Sequence, residues 1–98
     1  MLENFNLDTF AERINTKFRI KQESSDAVEL ELVEAKDTGS TPRQVQFSIT
    51  FRGPHNPQLV QGIYRMEHDE IGAFDLFIVP IRRDQDGMYY EAVFNRPL

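Results

Sequence analysis

Val45, Phe47, Ile49 and Phe51 alternate strictly with Gln46, Ser48 and Thr50. Side chains along a strand point to opposite faces, so one face of this segment is apolar and the other is wet. Three further segments also read as strands. They are Gln61 to His68, Phe74 to Ile81 and Met88 to Phe94. Turn-forming residues separate each from the next, among them Gly53, Pro54, Pro57, Gly72 and Asp86-Gly87. A chain built this way is bound to a sheet with a buried inner face.

The first half supplies less. Phe18 to Gln22 and Val28 to Glu34 alternate with period two, and Glu23 to Ala27 reads as the turn between them. A register pairing Phe18 with Leu32, Ile20 with Leu30, Arg19 with Glu31 and Lys21 with Glu29 puts opposite charges together on the outer face. Residues 8–16 read as a short helix, with Thr9 and Glu12 at capping-box spacing and Phe10, Ile14 and Phe18 as its stripe. Ala35 to Pro42 reads as a surface loop. Phe74 to Ile81 is nearly continuously apolar from Leu76 onward, which predicts a central strand covered on both faces. Pro80 predicts an end or a bulge at its own position.

The expected fold is all-β: a small antiparallel barrel or sandwich of six strands, with one short N-terminal helix against it. Residues 1–98 form one domain. A chain of 98 residues buries only roughly two-thirds of its unfolded surface, so the eight phenylalanines matter to the core. There is no cysteine, which fits a reducing compartment and leads to a cytoplasmic expectation. The first residues show no basic region and no apolar run, so no signal peptide is expected. No stretch approaches the roughly 20 apolar residues of a membrane helix.

Net charge is −5, spread over both halves. Arg82-Arg83 is followed at once by Asp84, and no basic cluster forms. Nucleic-acid binding is not expected, because phosphate neutralisation supplies most of its affinity.

Asp84-Gln85-Asp86-Gly87 resembles the opening of a calcium loop. The glycine and glutamate required further on are replaced by Tyr89 and Asn95, so it reads as a tight hairpin turn. Glu67-His68-Asp69-Glu70 gathers potential metal ligands, but strand neighbours point apart and the group reads as a solvated strand end. Glu29, Glu31 and Glu34 read as an exposed strand face. No serine lies in a nucleophile elbow, and the five glycines are isolated. No catalytic residue, cofactor or metal is therefore assigned.

Five residues stand out: Arg52, Gln61, Tyr64, Tyr89 and Glu91. Arg52 closes an apolar strand and Glu91 interrupts another. An Arg52–Glu91 pair would tie the irregular 52–59 connection to the last strand, either as a structural cluster or, with Tyr64 and Tyr89, as a recognition surface.

Phe51-Arg52-Gly53-Pro54, Gln61 to His68, and Phe77-Ile78-Val79-Pro80 through Tyr90 to Asn95 together form a recognisable pattern. On these residues the chain resembles a bacterial family of small proteins of unknown function. Members of that family are often neighbours of phage-tail-collar-like proteins. The resemblance implies tail-like machinery as context and brings no catalytic residues with it. The expectation is a non-enzymatic domain that contacts an unidentified protein partner, or a second copy of itself, through sheet edges. A small ligand-binding barrel or sandwich with an aromatic pocket is the alternative.

Overall fold

The computed structural model describes residues 5–22 and 25–97. Helix α1 (Leu7–Ala11) precedes β1 (Lys17–Gln22), β2 (Ser25–Asp37), β3 (Gln44–Gly53), β4 (Gly62–His68), β5 (Gly72–Asp84) and β6 (Gly87–Pro97). The six strands close into a barrel in the order β1-β2-β3-β6-β5-β4, and every neighbouring pair is antiparallel. The open choice between sandwich and barrel thus resolves to a barrel. No helix among the described residues is long and apolar enough to cross a membrane.

The inner face follows the sequence alternation. Phe47, Ile49 and Phe51 of β3 are buried, as are Phe74, Leu76 and Ile78 of β5 and Tyr90 and Ala92 of β6. Strand β5 differs from expectation on its second face. Phe77 is 49% exposed and Ile81 44%. A barrel has one interior, and among the described residues nothing covers the outside of β5. Pro80 does mark a bulge, since the register with β6 shifts between Pro80 and Arg82.

The β1–β2 hairpin has a different register from the one predicted. Phe18 pairs with Leu30, Arg19 with Glu29, and Lys17 with Glu31. The slip is two residues, which leaves every side chain on its predicted face, so alternation alone does not distinguish the two registers. The tighter connection decides, because Gln22 already pairs with Ser25. Glu23 and Ser24 of the expected turn lie outside the described residues. Strand β2 also runs on to Asp37, three residues into the predicted loop, by pairing with β3 after a bulge between Leu32 and Glu34.

Helix α1 is shorter than predicted and differently capped. The Asn6 side chain accepts from the Thr9 amide at 3.0 Å, and the Thr9 hydroxyl accepts from the Asn6 amide at 3.1 Å. Thr9 is therefore the third helical residue rather than the cap. Asn15, at φ 71°, turns the chain into β1. Phe18 thus belongs to a strand and not to a helical stripe.

Phe10 closes one end of the barrel. Its ring is fully buried, with ring centroids 5.4 Å from Phe94, 6.2 Å from Phe47, 6.4 Å from Phe74 and 6.5 Å from Phe18. At the other end the 54–61 loop folds over the barrel mouth. Leu59 is buried there, and its amide donates to the Tyr90 hydroxyl at 2.9 Å. Phe10→Ala should cost about 3–5 kcal/mol, because the plug vanishes and the rings around it cannot fully collapse. Tyr90→Phe should cost about 1–3 kcal/mol by stranding the Leu59 amide. Urea unfolding of the purified variants measures both.

Candidate functional site

The outer side of the barrel carries an open cleft of about 760 Å³. One wall is the β1–β2 hairpin with Lys17, Arg19, Glu29 and Glu31. The opposite wall is Arg52 at the end of β3 and the loop that follows it, Gly53 to Pro57. Alternation places these charged side chains outside, since Phe18, Ile20, Leu30 and Phe51 take the inside.

Glu31 is the hub. Lys17 lies 3.0 Å from its carboxylate and Arg52 3.3 Å from the same oxygen. The hydrogen bond from Lys17 holds Glu31 below the usual carboxylate range. Partial burial opposes this, and the charges of Lys17 and Arg52 reinforce it. Arg52 stands opposite Tyr89 in the β3–β6 ladder. A hydrogen bond to the Tyr89 phenol raises the pKa of Arg52, against a smaller effect of burial. Arg82 then lies over the Tyr89 ring, 3.7 Å from its centroid, and pairs with Asp84 at 3.1 Å. A continuous polar chain therefore runs from β1 to β5 across the outer face.

Of the five residues singled out in the sequence, the structure unites Arg52 and Tyr89. The ion-pair partner of Arg52 is Glu31 and not Glu91. Glu91 sits two residues further along β6, opposite Thr50 and Val79. Tyr64 points toward the core and donates to the Val60 carbonyl at 2.7 Å, which braces the loop. Gln61 is exposed where that loop meets β4. Tyr64 and Tyr89 thus face opposite sides of the sheet and share no surface.

The acid-rich segment 67–70 is not a solvated strand end at His68. That ring is 6% exposed and packs on Phe18 with centroids 4.5 Å apart. Nδ1 accepts from the Glu70 amide at 3.0 Å. Nε2 must then carry the proton of the neutral ring, and it donates to the Thr16 hydroxyl at 2.8 Å. The Thr16 hydroxyl in turn donates to the Arg13 carbonyl at 2.6 Å. The neighbouring acids are engaged elsewhere, Asp69 with Arg19 at 2.8 Å and Glu70 with Arg13 at 3.2 Å. Among the described residues, no group of three or more His, Cys, Asp or Glu is arranged to hold a metal ion.

The profile of a family described as a domain of unknown function, DUF6916, matches residues 5–94. The chain belongs to the DUF6916 family. No curated protein and no solved structure matches it. The match to DUF6916 takes in the Phe10 plug, β1 to β5, most of β6 and the whole cleft wall, so the family pattern describes the closed barrel rather than one part of it.

The sequence reads His68 only as one of four potential metal ligands and Glu31 only as an exposed partner of Arg19, and gives Arg82 no role. Glu31 looked like any outward acid of an alternating strand, and only the ladder brings Lys17 and Arg52 to it.

Burial pushes the pKa of His68 below its ordinary value of 6.5, the largest cause being desolvation, partly opposed by the nearby Glu70 charge. The unfolded chain then binds more protons below that value, so stability is full above pH 6.5 and falls as pH drops through 6.5 toward the lowered folded value. His68→Gln should flatten this segment of the stability profile. Thermal unfolding followed across that pH range measures it.

Proposed function

We propose that this DUF6916 domain is a non-enzymatic protein-interaction module that docks through the outward face of β4, β5 and β6. One observation carries the reading. Ile63 and Phe77 are direct cross-strand neighbours on β4 and β5, and they are 71% and 49% exposed. Val93 adds to the same side of β6, and Val60 and Ile81 are exposed nearby in the chain. A cluster of large apolar side chains on the outside of a filled barrel is a feature of interaction surfaces. The polar chain from Lys17 to Arg82 stiffens the adjoining face, and a rigid surface binds with little ordering cost.

The setting belongs to the proposal as well. The resemblance of residues 47–95 to bacterial neighbours of phage-tail-collar-like proteins supports an accessory or structural part in tail-like machinery. The lack of cysteine supports action in the cytoplasm. A ligand-binding barrel has less support, because Phe10, Phe18, Phe47, Phe74 and Phe94 pack on one another where its pocket would be.

The test is a double variant, Ile63→Glu with Phe77→Asp, whose exposed positions should leave unfolding free energy within about 1 kcal/mol of wild type. Affinity capture from the native cell should recover a protein partner with the wild-type domain and lose it with the variant. Capture of the same partner by both, or of none by the wild type, overturns the reading.

A further inference from the structure

A closed barrel has no edges, but this one leaves part of a strand unpaired. Strand β2 is longer than the neighbour it shares with the cleft. Its ladder with β3 starts at Glu31, which pairs with Arg52. One step further along, β3 ends at Gly53 and Pro54 follows. Continuing the ladder would set Pro54 opposite Glu29, and proline has no amide proton to give. The loop swings away instead, and the cleft opens between Ala27–Glu29 and Pro54–Pro57.

The direction of the unpaired groups follows from the other side of β2. The Leu32 amide donates to the Thr16 carbonyl at 3.1 Å, and the Leu32 carbonyl accepts from the Asn15 amide at 2.7 Å. Both groups of Leu32 thus point toward β1. Successive residues of a strand alternate in this respect. Leu30 and Val28 then also face β1. Glu31, Glu29 and Ala27 face the other way. Glu31 meets Arg52, whereas no backbone bond to Ala27 or Glu29 is made on that side among the described residues. Two amides and two carbonyls therefore line the cleft floor in strand geometry.

We propose that the cleft receives an extended peptide segment of another protein, which adds to β2 as an extra strand along Ala27 to Glu29. The exposed ladder defines the occupant: groups spaced in this way are matched by another extended backbone. Side-chain chemistry sets a preference. Glu29 is exposed and makes no ion pair among the described residues, because its cross-strand neighbour Arg19 is held by Asp69. Ala27 is small and leaves room beside it. A Lys or Arg on the added strand opposite Glu29 makes the favourable cross-strand pair. The ligand is thus an extended segment with a basic residue flanked by β-branched ones. This site is separate from the apolar face of β4–β6, and either can fail without the other.

Short capped peptides alternating Val or Thr with Lys, with Glu or with Ser serve as probes, read by amide chemical shifts of the whole domain. The Lys series should bind best, with the largest shifts at Ala27, Glu29 and Glu31. Ala27→Pro removes a donor that β1 does not use and should weaken binding about tenfold. Glu29→Lys, an exposed change that spares the fold, should reverse the preference from the Lys to the Glu series. It carries the test if Ala27→Pro fails to fold. Absence of binding by all three series, an unaltered preference in Glu29→Lys, or shifts centred on Ile63 and Phe77 would each overturn the proposal.

Discussion

The fold depends on one ring inside a hoop of strands. Helix α1 has five residues, far too few to persist alone in water. It survives because Phe10 is driven into the barrel end among Phe18, Phe47, Phe74 and Phe94. The dependence runs both ways. Phe47 and Phe94 stack at 4.5 Å, one from β3 and one from β6, and Phe10 packs against both. Without it the ends of four strands would surround a void. Burying a phenylalanine contributes roughly 1.5–3 kcal/mol, a large share of a small domain's margin. The outer face can therefore carry charges and exposed apolar groups, because most of the margin comes from the interior.

Legibility varied with how many constraints acted on each element. Strand β3 is clear from its alternation of apolar and polar residues, although Ser48 and Thr50 on the expected wet face are buried as well. The β5–β6 hairpin was clear because Asp86-Gly87 restricts the turn, and Gly87 sits so close to the Gly53 carbonyl that a side chain there would collide with it. The β1–β2 register is not legible, because a two-residue slip preserves both faces and exchanges one set of charge pairs for another. The helix start was misjudged because Asn6 and Thr9 form the same reciprocal cap that Thr9 and Glu12 also offer on paper. The exposed face of β5 is not legible, because an apolar run does not reveal whether a second layer exists to cover it.

The candidate sites were less legible still. Arg52 attracted notice by closing an apolar strand, and its link to Tyr89 follows from the β3–β6 ladder. Its acidic partner came from β2, which the sequence places 21 residues away with no local signal. The free edge of β2 is a matter of unequal strand length. It depends on where β3 stops relative to β2, at Gly53 opposite Leu30, and alternation within either strand carries no signal of that mismatch.

The ring has a seam. Among the described residues, strand β1 meets β4 at two positions, Arg19 with Glu67 and Ile20 with Met66. Beside that short ladder lie two ion pairs, Arg19–Asp69 and Arg13–Glu70, and the His68–Thr16 bond. The closure is thus a latch held partly by exposed charge, which dissolved salt screens over about 10 Å at 0.1 M. When the latch parts, the cylinder becomes an open sheet with two bare margins. Bare strand margins of that kind are templates on which a second chain can pair.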